Sequence, residues 1–138
     1  MGWDIELVDK EGNVVEVPDF SWGSVQEAEI DLDGRIVSKP SSKAWMLVTF
    51  NYGLVFNSVL QQLRKADPLL TAIRLSELLD GKLAIDLIAT LQQAIELIGT
   101  TERDGNYYTA TKGNVGYTLS ILLAWAMLYP SATFRCWC

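Results

Sequence analysis

The hydrophobic period of this chain changes once, near residue 50, and that switch limits the folds open to it. Before it, apolar and polar residues alternate in Asp4-Ile5-Glu6-Leu7-Val8, Val14-Val15-Glu16-Val17 and Glu29-Ile30-Asp31-Leu32-Asp33. A period of two places acids on one face of a strand and aliphatics on the other. After it, apolar residues recur at helical spacing. Strands followed by helices favour an α+β fold over a parallel α/β sheet. The expected architecture is an N-terminal antiparallel sheet of about four strands over residues 3–50, covered by three to four helices over 53–129. Residues 130–138 read as a tail, and 1–138 as a single domain. Acids on one sheet face turn it to solvent, so the helices must cover the other.

Local signals mark the joints. Asp9-Lys10-Glu11-Gly12-Asn13 has hairpin chemistry, and Asp33-Gly34 is a turn signal. Pro18 to Ser24 reads as a loop with Phe20 and Trp22 exposed, and Ala44 to Phe50 as a more buried strand. Gly53 to Lys65 carries Val55, Val59, Leu60 and Leu63 on one helical side. Asp67-Pro68 predicts the start of a second helix reaching about Leu79. Ala84, Leu87, Ile88, Leu91, Ala94, Ile95 and Ile98 form the clearest helical stripe, which Gly99 closes. Thr111 then caps a last helix, expected to be the most buried.

That last helix is apolar enough to raise the question of a membrane. Only Val115 to Tyr129 is strongly apolar, however, and Thr118 and Ser120 interrupt it. Fifteen helical residues reach about 22 Å, against a hydrocarbon core of about 30 Å. A buried helix is therefore expected, and no membrane contact.

Charge is unevenly spread. Residues 1–34 hold ten acids against one base, Lys10, a local balance of −9. Residues 35–138 hold ten bases and seven acids, hence +3. No basic stripe suggests direct nucleic-acid binding. The chain has no histidine, which removes the commonest general base and most zinc chemistry. Cys136 and Cys138, one residue apart, suit neither an ordinary disulfide nor a metal site and read as a reduced, frayed end. Met1-Gly2-Trp3-Asp4 leads straight into a charged strand pattern, so no secretory leader is expected and the cytoplasm is the expected compartment.

Few motifs carry chemistry. Glu29 to Gly34 has the acid spacing of a calcium loop, but the twelfth position, which needs glutamate, is Pro40. An acidic strand face and turn explain it better. Thr111-Lys112-Gly113-Asn114 opens the apolar helix, where free N–H groups beside a lysine suit a phosphate or carboxylate. Tyr107 and Tyr108 just upstream could stack on a base or sugar. Asn51 and Tyr52, at the strand-to-helix junction, could form the opposite wall. These eight residues are the candidate ligand site. The plainer alternative makes Thr111 an ordinary cap, Gly113 a packing glycine, Asn51 a turn cap and Tyr52 a core residue. Nothing suggests a nucleophile–base pair, a metal cluster or a cofactor.

Several of these residues resemble a family of small uncharacterised phage and prophage proteins. The likeness lies in Trp3-Asp4-Ile5-Glu6-Leu7-Val8-Asp9, in Ala44-Trp45 with Thr49 and Asn51-Tyr52, and in Ile73-Arg74 with Gly81-Lys82. It extends through Tyr108-x-x-Thr111-x-Gly113-Asn114 to Leu122-Leu123-Ala124-x-Ala126 and Pro130. Pro18 to Ser42 is longer than the family pattern, and Phe134 to Cys138 replaces an acidic finish. The resemblance implies a phage setting in a host cytoplasm and no mechanism. The expected function is a non-enzymatic accessory protein that binds a small anionic, nucleotide-like ligand, as in sequestering a host defence signal. The alternative is an acidic module masking a basic host protein. A homo-oligomer stays open.

Overall fold

A computed structural model of the chain describes residues 2–23 and 27–138 and has an α+β fold. The strands are β1 (Gly2–Val8), β2 (Glu16–Phe20), β3 (Glu27–Ile30), β4 (Ile36–Lys39), β5 (Ser41–Lys43), β6 (Trp45–Thr49) and β7 (Thr133–Trp137). The helices are α1 (Gly53–Ala66), α2 (Leu75–Leu79), α3 (Ala84–Ile98) and α4 (Lys112–Leu128), with a 3-10 turn over Phe50–Tyr52 leading into α1.

The central sheet has three antiparallel strands in the order β6-β1-β7. Alternation along β1 decides its two faces. Ile5 pairs with Met46 and Cys136, Leu7 pairs with Phe134, and all of these face the core. Glu6 lies between Trp45 and Arg135 on the other face. Its carboxylate is nearly buried there and forms an ion pair with the Arg135 guanidinium. Asp4 on the same face accepts a 3.1 Å hydrogen bond from Trp45 Nε1. The inner face merges with the apolar sides of α1, α2, α3 and α4 in one core.

Residues 130–138 are therefore not a frayed tail. Thr133–Trp137 completes the sheet, with Phe134 fully buried and Cys136 nearly so. Burial, then Asp80, push the Cys136 thiol up to about 12, so it stays a neutral core group. Both sheet edges are closed. Along β7, Phe134 exchanges backbone hydrogen bonds of 2.9 Å with Lys82 and Gly81. Along β6, the Tyr107 hydroxyl occupies Leu47 O and Thr49 N.

Other expected strands form two separate ladders, β2-β5 and β3-β4, rather than one continuous sheet. Phe20 and Trp22 are not exposed loop aromatics. Phe20 lies edge-on to Trp125, 5.4 Å between centroids, and Trp22 is buried with its indole N–H on Thr118 Oγ1 at 2.7 Å. Ser24, the end of that expected loop, lies outside the described residues. The second helix is also shorter than expected. Asp67 closes a turn, accepting from Leu69 N, and Arg64 Nη1 holds the extended segment at Ala72 O. Helix begins only at Leu75.

α4 buries more residues than any other helix, Trp125 included, while Leu123 is partly covered. Among the described residues no helix is long and apolar enough to cross a membrane. α4 approaches α3 closely because Gly116 has no side chain: a Cβ there would sit 1.9 Å from Gly99 O. Gly116→Ala should therefore lower unfolding free energy by about 1–3 kcal/mol through overpacking. Gly105→Ala, with nothing within 4 Å of its Cβ position, should change it by less than about 0.5 kcal/mol. Urea denaturation of both variants checks the difference.

Candidate functional site

The loop before α4 is built from side chains that close their own turns. Asp104 Oδ1 accepts from Asn106 N at 2.7 Å, and Asn106 Oδ1 accepts from Tyr108 N at 3.0 Å. Short side-chain acceptors two residues before a backbone donor are the usual device for such turns. Asn114, fully buried on the first turn of α4, then grips the loop from inside. Its Nδ2 donates to Asn106 O (3.1 Å) and Thr109 O (2.9 Å), and its Oδ1 accepts from Asp104 N (3.0 Å).

The loop is tied to the sheet at the same place. Tyr52 is completely buried, and its hydroxyl donates to Tyr107 O. Asn51 Nδ2 donates to Tyr108 O at 3.0 Å. The Tyr107 hydroxyl donates to Leu47 O at 2.5 Å and accepts from Thr49 N at 2.7 Å. Rings of Trp22, Tyr52 and Tyr108 surround Tyr107 with centroids 5.0–5.6 Å away. Arg103 lies over the Tyr117 ring, 3.7 Å from its centroid, and more distantly over Trp22. Burial raises both phenols: Tyr107 to about 12, and Tyr52 further, with the neighbouring Tyr107 adding to its shift.

Seven of the eight sequence-predicted residues thus meet in one structure, joined largely to one another. Thr111 is the cap, its Oγ1 accepting from Asn114 N at 3.0 Å. Gly113 N donates to Glu102 O at 3.2 Å, and Val115 N to Thr111 O at 3.1 Å. A Cβ at residue 113 would lie 2.3 Å from the Glu102 carbonyl carbon, so the loop backbone fills the space above the helix start. Donors that would face an anion are engaged by the protein itself. Of the two rings only Tyr108 is substantially exposed. Lys112 stands apart from the other seven and borders the cleft between α1 and α3. The sequence reading does not include Asp104 and Asn106, for which the Asp-x-Asn-x-Tyr spacing is the available signal, and it places Trp22 at the surface rather than in this network.

A second feature lies in residues 27–39. β3 and β4 pair with each other, Ile30 opposite Ile36, and pack extensively on no other element. Asp31 Oδ1 closes their turn, accepting from Asp33 N and Arg35 N, with Gly34 at φ +78°. Asp9 does the same for Glu11 and Asn13, with Gly12 at φ +82°. The two turns share the pattern Asp-x-x-Gly, and where one carries Lys10 the other carries Leu32. Leu32 is fully exposed, Ile30 is 72% exposed and Ile36 79%. The aliphatics of this segment, expected beneath helices, instead form the bare end of a projecting arm.

The N-terminal acids do not form one layer. Glu6 pairs with Arg135, Glu16 with Lys43 at 3.1 Å, and Glu29 with Lys39 at 3.2 Å. Among the described residues no group of three or more acids or cysteines could hold a metal ion. No family model, curated protein or solved structure matches the chain.

Asn114→Ala strands one buried donor and two acceptors, so it should cost about 1–3 kcal/mol and open residues 100–111 to hydrogen exchange. Lys112→Glu, at an exposed site, should change stability by less than about 0.5 kcal/mol. Denaturant melts with exchange mass spectrometry check both.

The tyrosines give a pH signature. Their folded values lie above the ordinary phenol value of 10.0, so below pH 10 both folded and unfolded chains keep them protonated. Above it the unfolded chain loses protons first, and stability falls as pH rises towards about 12. Tyr107→Phe should flatten that fall, read from urea midpoints across the alkaline range.

Proposed function

We propose that this chain is a non-enzymatic protein-binding module that docks through the arm formed by residues 27–39. One observation carries the reading: the arm exposes Ile30, Leu32 and Ile36 and, among the described residues, packs extensively on no other helix or strand. An isolated two-stranded hairpin is marginal in water, and clustered exposed aliphatics are the usual mark of a contact surface. Burying a leucine or isoleucine is worth about 1.5–3 kcal/mol, so three can anchor an interface. Glu29, Asp31 and Asp33 fringe the aliphatics, which suits a partner with an apolar recess rimmed by cations. The resemblance to phage-type proteins supports a host protein as that partner and a host cytoplasm as the setting.

A narrower second reading keeps a nucleotide-like anion at the loop before α4, supported by the outward ring of Tyr108 and the exposed Lys112. It predicts heat on titration with nucleotides that Lys112→Glu abolishes; no heat from the wild-type chain removes it.

The docking reading is tested by placing a photo-crosslinker at position 32, identifying the captured protein, and measuring its binding kinetics. Leu32→Ser should weaken binding by roughly 10- to 100-fold. Glu29→Lys with Asp33→Lys should slow association and change its salt dependence. The melting temperature should stay unchanged in both, because the arm lies outside the core. Unaltered binding by both variants would overturn the reading.

A further inference from the structure

The cleft between α1 and α3 has chemistry complementary to the arm. Leu54, Val55, Val59, Leu97 and Ile98 line it together with the polar Ser58 and Gln62, Lys112 stands at its border, and its volume is about 220 Å³. Leu54 is 84% exposed, an apolar side chain left in water at the mouth of an apolar recess. α1, which supplies one wall, contains no acidic residue and ends in Arg64 and Lys65. The Lys112 ammonium takes part in none of the ion pairs among the described residues. On the arm, Leu32 stands in solvent between two carboxylates. The Asp31 carboxylate is occupied by its turn, whereas the Asp33 carboxylate is not.

We propose that the arm of one copy docks in the α1–α3 cleft of a second copy of this chain, an inference that rests on reading residues 27–39 as a docking arm. Leu32 seats among Leu54, Val59 and Leu97, and Asp33 pairs with Lys112. Performed reciprocally, the exchange makes a closed two-fold dimer in which every contact occurs twice. Insertion of the two leucines supplies the affinity, and the rim ion pairs supply register more than strength. Self-association then covers the same aliphatics that any other partner needs, so a competing protein must displace the second copy.

Sedimentation equilibrium from micromolar to near-millimolar chain tests this. The wild-type chain should form a reversible dimer. Leu32→Asp should raise its dissociation constant by about 100-fold or more, since each substitution acts at two contacts. Asp33→Lys and Lys112→Asp should each weaken it by about fivefold, and both together in one chain should restore it. All three positions of change are at the surface, and coincident thermal melts confirm folding. A wild-type chain that stays monomeric throughout overturns the inference, as does a dimer indifferent to Leu32→Asp and to the charge exchange. Neither result touches the arm's binding to a different protein, which is measured separately at concentrations where the chain is dilute.

Discussion

The pairing of β1 with β7 holds the architecture together. Without it the central sheet would be a two-stranded ladder, and the inner face would lose Phe134 and Cys136 from beside Ile5 and Leu7. The pairing also explains the one nearly buried acid. Glu6 tolerates removal from water because Arg135 stands opposite it on the neighbouring strand, 129 residues away in sequence. Closing so long a loop carries an entropy cost that local helices do not, so this contact belongs to the late, cooperative part of folding.

The loop between α3 and α4 shows how a motif can look functional and act structurally. Thr111, Gly113 and Asn114 have the chemistry of an anion site at a helix start. Here the cap hydroxyl accepts from Asn114 N, the Glu102 carbonyl accepts from Gly113 N, and the Asn114 side chain is bonded to the loop backbone. Through Tyr107 and Tyr52 the same network reaches the β6 edge, so the loop, the helix start and the sheet margin are one rigid unit. Rigidity there leaves the arm of residues 27–39 as the part of the molecule with chemistry unspent.

What the sequence revealed follows the range of each signal. Thr111 as a cap, Gly99 as a stop and the Asp9 to Asn13 hairpin turn depend on neighbours a few positions away, and all are as read. Trp22 finds its partner Thr118 across 96 residues, and β7 its partner strand across more, so no local pattern discloses either. Asp67-Pro68 offers sound helix-start chemistry, yet Arg64 holds the following segment extended at Ala72. The arm teaches a different limit. Alternation in Glu29 to Asp33 says which side chains share a face, but not whether anything covers that face. The candidate ligand residues other than Lys112 lie together in space, and the hydrogen bonds that join them to one another lie beyond a one-dimensional reading.

The closed edges of the central sheet bear on how this chain behaves at high concentration. An open edge is a template for strand addition and the usual start of a fibre. Here backbone from residues 81–82 covers one side and a tyrosine hydroxyl the other, so the core sheet offers no ladder to extend. The β3-β4 ladder is a separate two-stranded pair outside that sheet. Glu29, Asp31 and Asp33 flank its exposed Ile30, Leu32 and Ile36, a placement of charge that discourages edge-to-edge pairing. Resistance to strand addition thus has two sources in one chain: covered backbone at the central sheet, and side-chain charge at the arm.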